Sequence, residues 1–295
     1  MSVPGSVALP RCVRRVDLPL PNGPLAALEA LPQSTAEATA LLVPGFTGSK
    51  EDFLALLEPF ADAAVRVIAI DQRGQYQSPG LADPAGYIAA ADQFGTSAFA
   101  ADIRALVRSL ADEGSGPVHL LGHSFGGHTV REALLGAGPR NPLPLASVTF
   151  LDSGPAAVVG RPSRERLELL LSVENQLTLQ QIHDLSPVNA HPDARVSAFL
   201  LERWRHNDPA SIFAMARRLL AEPDRTPELK ALLDAWNLRC LIATGIDEDV
   251  WSARLLEEVA AQLEARYAVI PGAGHSPNTQ QPEALAKALL EFWLS

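Results

Sequence analysis

Hydrophobic positions along the chain fall into two alternating patterns. Short apolar runs bounded by turn residues recur between longer stretches in which apolar side chains return every three or four positions. The first pattern predicts buried strands and the second amphipathic helices; their alternation predicts an α/β protein with a mostly parallel central sheet flanked by helices. Strands are expected at Thr39–Val43, Val65–Ile70, Val118–Leu121, Ser147–Leu151, Cys240–Thr244 and Ala268–Ile270. Residues 12–20 and 24–31 predict an opening antiparallel pair around the turn Pro21-Asn22-Gly23. A helix is expected from Ser49, with Asp52 as capping-box partner and Phe53, Leu56, Leu57 and Phe60 as its buried stripe. Further helices are expected over 98–112, Phe125–Leu135 and Pro282–Phe292.

Between Pro155 and about Trp236 the alternation stops. Apolar residues here keep helical spacing almost throughout, as in Leu167/Leu170/Leu171 and Val196/Phe199/Leu200/Trp204. The pattern predicts a helical insertion at 155–236 in a core made of residues 1–154 and 237–295. Ligands bind at the carboxyl ends of strands in open α/β sheets, so an insertion lying there would act as a cap. A bundle packed for stability alone has the same periodicity. Phe199, Trp204, Phe213 and Trp236 either line a pocket beneath the insertion or fill the core between its helices, and core is the expectation for at least half of them.

Composition narrows the function classes. Hydrophobic residues make up 47% and charged residues 20%, which suits a soluble globular protein. No apolar run reaches the roughly 18 residues of a membrane helix. The opening residues lack the charged start and continuous apolar stretch of a signal peptide, so a cytoplasmic protein with no membrane partner is expected. A formal charge of −10 disfavours nucleic acid as a partner. Cys12 and Cys240 cannot build a disulfide framework or a four-thiolate zinc site, and neither a metal nor an organic cofactor is implied. A cytoplasmic enzyme or a small-molecule binder remains.

The chemistry centres on Gly122-His123-Ser124-Phe125-Gly126, which follows an expected strand and opens an expected helix. A sharp strand-to-helix turn of this kind lifts a serine hydroxyl above the sheet, and glycines are needed where the backbone crowds itself. A serine needs a base, and His275 follows the last strand, in a loop that emerges at the same end of the sheet. His119, His123 and His128 read as structural, while His183, His191 and His206 fall in the insertion, where solvent exposure is the default. An acid that orients the imidazole should lie between serine and histidine. Asp247, Glu248 and Asp249 follow the 240–244 strand and Asp152 follows the one before it, so four candidates stand.

With these motifs in order, the chain resembles the α/β-hydrolase superfamily. The resemblance rests on Val43-Pro44-Gly45-Phe46, Asp71-Gln72-Arg73-Gly74, the turn at Ser124, the acidic loop at 245–251 and Gly274-His275. It implies an α/β-hydrolase fold with Ser124 as nucleophile and His275 as base. It also implies an oxyanion hole made by the backbone N–H groups of Phe46 and Phe125. The acid of such enzymes usually stands three residues after the strand's glycine, at Glu248. Asp249 and Glu248 stand nearly level with Asp249 first, ahead of Asp247 and Asp152. Two departures stand out: Pro44 replaces a usual histidine, and Tyr76 replaces a glycine in the run after Asp71. Asp71 and Arg73 read as an ion pair holding that loop beside the nucleophile. The expected function is hydrolysis of a small-molecule ester. Carbon–carbon hydrolase, perhydrolase and iminopeptidase activities use the same machinery, and a silent member that only binds a small ligand is the alternative from another class.

Overall fold

The computed structural model describes residues 2–80, 94–185 and 191–295. Strands β1 (Val13–Leu18) and β2 (Leu25–Ala30) pair antiparallel across the expected turn, where Gly23 takes φ 103. Strand β3 (Ala38–Val43) leads through a 3-10 turn at Lys50–Phe53 into α1 (Leu54–Asp62). Asp52 accepts the Ser49 N–H at 3.3 Å there, as the capping pattern requires. Next come β4 (Val65–Ile70), α2 (Thr96–Asp112), β5 (Val118–His123), α3 (Phe125–Ala137) and β6 (Ser147–Leu151). Five helices follow: α4 (Arg161–Ser172), α5 (Leu179–Asp184), α6 (Ala194–His206), α7 (Pro209–Ala221) and α8 (Thr226–Trp236). The chain then returns as β7 (Arg239–Gly245), α9 (Ala253–Leu263), β8 (Arg266–Ile270), α10 (Pro277–Gln280) and α11 (Pro282–Trp293).

The sheet order is β1-β2-β4-β3-β5-β6-β7-β8. Its first two pairings are antiparallel and the rest parallel. Both faces of the central strands are apolar because both are covered. Leu41 and Val43 of β3 and Leu120 of β5 face a cluster that includes α2 and α3. Ala40, Leu42 and Leu121 face the opposite cluster, with α1 and α11. Each of these leucines is wholly buried, which contributes roughly 2 kcal/mol apiece.

The 155–236 stretch divides in two. Helix α8 packs against α3 and α9 through Leu229, Leu232 and Leu233, so it belongs to the layer that covers the sheet. Helices α4 to α7 pack chiefly on one another, α4 with α7 and α5 with α6, while Leu167, Met215, Ala216 and Leu219 also join the core cluster below; residues 186–190 lie outside the described residues.

Asp71 and Arg73 do not pair with each other, contrary to expectation. Asp71 binds Lys50 Nζ at 2.7 Å, and Arg73 forms a bidentate bridge to Asp102 of α2, with all four side chains buried. The two side chains, one residue apart, point to different sides here, so each charge meets a different element. A third buried pair joins Arg203 of α6 to Asp52 at 2.7 Å. No helix among the described residues is long and apolar enough to cross a membrane.

His119 shows how burial sets a charge state. Its Nδ1 lies 2.7 Å from Ser147 Oγ and its ring stacks on Trp293. Burial, helped by the Arg239 charge, pushes its pKa down to about 4. An unfolded chain takes up this proton near pH 6.5, so the residue costs stability as pH falls from there towards 4. His119→Asn should remove that dependence. In urea titrations, the stability gap between wild type and variant should narrow by about 2 kcal/mol between about pH 7.5 and about pH 5. A gap that is constant with pH would contradict a neutral buried imidazole.

Candidate active site

Strand β5 ends at His123, and Ser124 turns the chain into α3 with φ 51 and ψ −119. A residue with a Cβ rarely adopts a positive φ, and the conformation persists because its surroundings enforce it. A Cβ on Gly122 would fall 2.5 Å from the Gly126 carbonyl oxygen, and one on Gly126 2.4 Å from that of Val43. The Ser124 N–H is fixed by the Leu151 carbonyl at 2.9 Å. Neighbouring backbones therefore close around the turn, and the serine side chain is left at the helix start.

His275 stands between β8 and α10, with Nε2 2.9 Å from Ser124 Oγ. Its Nδ1 lies 2.8 Å from Glu248 Oε2. With an ionised glutamate at Nδ1, the Nδ1–H tautomer leaves the Nε2 lone pair for the serine hydroxyl. Glu248 Oε1 accepts the N–H groups of Val250 at 2.6 Å and Trp251 at 2.9 Å. Burial pushes the Glu248 carboxyl up, but the hydrogen bond and charge of His275 and the Trp251 N–H outweigh it and hold the group below the ordinary glutamate range. Sequence reading treated His123 as merely structural. Its Nε2 donates to the His275 carbonyl at 2.8 Å, and burial together with the His275 charge pushes its pKa down to about 3, so it anchors the loop as a neutral ring.

The acid beside His275 is Glu248, which corrects the slight preference for Asp249. Val250 and Trp251 draw the Glu248 carboxylate inward, whereas Asp249 is exposed, with its backbone carbonyl packed at Gly160. Asp247 is exposed as well. Asp152 is buried at the end of β6, where its Oδ1 accepts from Thr244 Oγ1 at 2.8 Å and the Gly245 N–H at 3.0 Å.

The Phe125 N–H opens α3 and so has no carbonyl of its own helix to meet. Phe46 approaches from the other side because Gly45 precedes it; a Cβ there would lie 3.0 Å from Ser124 Cβ. Two residues that sequence reading passed over hold this loop: Gln72 Nε2 donates to the Pro44 carbonyl and Gln75 Nε2 to that of Gly45, each at 2.8 Å. Amides at paired positions after Asp71 were the available signal. Tyr76, where a glycine is usual, takes φ 39 and sets its ring edge-on to Phe199 of α6.

Ser124, His275 and Phe46 open on a cavity of about 530 Å³. Its other wall comes from Val158 and the helices from α4 to α7, chiefly Leu167, Leu170, Ile182, Trp204 and Leu219. Of the four aromatic residues weighed from sequence, Trp204 lines this cavity; Phe199 and Phe213 are buried elsewhere, and Trp236 packs against the main core. Among the described residues, no group of three or more His, Cys, Asp or Glu side chains is placed to hold a metal ion.

A model described as the alpha/beta hydrolase family matches residues 40–288. No curated protein sequence matches the chain at a significant level. Among solved structures, a thermophilic esterase from Thermogutta terrifontis is similar at 23% identity and a TM-score of 0.66, covering 95% of this chain and 98% of its own. A structure from a study of carboxylesterases of Nitrososphaera gargenis is similar at 18% identity and a TM-score of 0.70, covering 95% and 98% of the two chains. A bromoperoxidase from Bacillus anthracis shares 17% identity at a TM-score of 0.69, covering 96% and 100%. At these identities the likeness concerns the fold.

The crowding at the turn gives a stability test. Gly126→Ala should lower thermal stability by about 2 kcal/mol or more, because the new methyl meets a fixed backbone carbonyl. Calorimetry that found the variant as stable as wild type would show that the turn relaxes cheaply.

Proposed function

Because this chain belongs to the alpha/beta hydrolase family, we propose that it is a serine hydrolase that cleaves a small-molecule carboxylic ester through an acyl-enzyme. The observation that carries the reading is the unbroken line from Ser124 Oγ through His275 to Glu248, at the edge of an apolar cavity. The esterase neighbours support it at the level of fold.

Ser124 Oγ attacks the ester carbonyl carbon while His275 Nε2 takes its proton. The carbonyl π electrons move to oxygen, and the N–H groups of Phe46 and Phe125 stabilise that oxyanion, each worth about 3 kcal/mol in comparable sites. The imidazolium then gives its proton to the departing alkoxide as the C–O bond breaks. Water, deprotonated by the same imidazole, then adds to the acyl carbon; the C–Oγ bond breaks, the imidazolium returns its proton to Ser124 Oγ, and the acid leaves. Glu248 stays ionised throughout, holding the Nδ1–H tautomer and stabilising the imidazolium. The helices from α4 to α7 serve as a cap, and their apolar side chains receive the acyl group.

A fluorophosphonate probe should label Ser124, and Ser124→Ala should abolish both labelling and hydrolysis of chromogenic acyl esters. Glu248→Gln should lower kcat on the order of a thousandfold, while Asp249→Asn should stay within about threefold of wild type. Absent labelling at Ser124 would sink the hydrolase reading. A large loss in Asp249→Asn with little in Glu248→Gln would reassign the acid.

A further inference from the structure

Glu248 has a second buried carboxyl beside it. Asp152 leaves β6 at φ 43 and is wholly buried, with Oδ1 occupied by Thr244 and Gly245. Its Oδ2 is buried too, and no N–H or hydroxyl of the described residues bonds to it. Glu248 shares the turn that Gly245 opens: the Gly245 N–H goes to Asp152 Oδ1 at 3.0 Å and the Glu248 N–H to the Gly245 carbonyl at 3.3 Å, so two buried carboxyls are neighbours there. Both oxygens of Glu248 are already acceptors, towards Val250, Trp251 and His275. Two ionised carboxylates can neither bond to each other nor both stay charged in a buried contact, and a single shared proton removes both objections.

The surroundings decide which carboxyl holds it. Three N–H groups converge on Glu248, and two of them come from backbone that cannot turn away. Asp152 receives one backbone N–H and one hydroxyl, both on the same oxygen. Burial and the adjacent Glu248 charge push the Asp152 carboxyl far above its ordinary range, while Glu248 is held below its own.

We propose that Asp152 is a neutral carboxylic acid whose Oδ2–H donates to Glu248, and that it acts as a positioning residue keeping the glutamate turned towards His275. Its effect on rate rests on the proposed Ser124–His275–Glu248 hydrolase; its protonation does not. This role differs from that of a triad acid in one decisive respect. A triad acid must be ionised, and its amide destroys activity. A neutral donor is copied by its amide: in Asp152→Asn the carbonyl meets Thr244 and Gly245, and the NH₂ replaces the hydroxyl towards Glu248.

The resting protein can be tested without turnover by difference infrared spectroscopy at mildly alkaline pH. A protonated-carboxyl C=O band should be present, should shift on carbon-13 labelling of aspartate, and should vanish in Asp152→Asn. In kinetics, Asp152→Asn should keep kcat within about threefold of wild type. Asp152→Leu, of similar shape but without a donor, should lose roughly tenfold or more in kcat with KM little changed. The proposal is overturned if the band is absent or follows labelled glutamate, or if Asp152→Asn loses activity on the scale of Glu248→Gln. If Asp152→Leu does not fold, the band and the Asn variant still decide. Failure of probe labelling at Ser124 with the band intact would remove the hydrolase reading and leave the shared proton standing.

Discussion

The backbone contacts around Ser124 are the constraint on which the site depends. Strand β5, helix α3 and the loop after β3 approach so closely that residues 122 and 126 have no room for a side chain and residue 45 has little. That closeness holds Ser124 at a φ that a serine would not choose, and it leaves the hydroxyl facing His275 rather than packed into the helix. The strain stored at one residue is small beside the burial of the strands on either side. The sheet therefore sets the geometry, and the serine conforms to it.

The electrostatics follow the same logic. Charges near the site are buried only with partners, as in Lys50 with Asp71, Arg73 with Asp102 and Arg203 with Asp52. These pairs tie the loops after β3 and β4 to α2 and α6 by directional contacts that an apolar seam would not supply. Removing one partner would leave an uncompensated charge in the interior, a far larger cost than the net worth of the pair. His123 and His119, by contrast, are kept neutral by burial and serve as hydrogen-bonding rings.

Much of this was legible in the residues because periodicity and local motifs are short-range signals. The apolar runs located every central strand, and Gly122-His123-Ser124-Phe125-Gly126 between a strand and a helix located the turn. His275 could be read because it is the histidine of the loop after the last strand. The acid was not decidable, since Asp247, Glu248 and Asp249 share one turn and only its path shows which carboxylate points inward. The partners of Asp71 and Arg73 were equally hidden, because Lys50 and Asp102 reach them through tertiary packing. The allocation of α8 to the sheet layer could not be read either: a helix that covers a sheet and one that covers other helices have the same spacing of apolar residues.

The two walls of the cavity come from different kinds of sequence. Ser124, His275 and Phe46 are gathered from three loops spread across the chain, each fixed by its strand. The facing wall comes largely from one continuous stretch, from Val158 to Leu219. Changes within that stretch can alter the shape and size of the cavity while leaving the strand-borne geometry untouched. Such a division makes the cavity evolvable: substitutions at the cavity-facing positions of a single contiguous segment can reshape the space without rebuilding the loops that hold Ser124, His275 and Phe46.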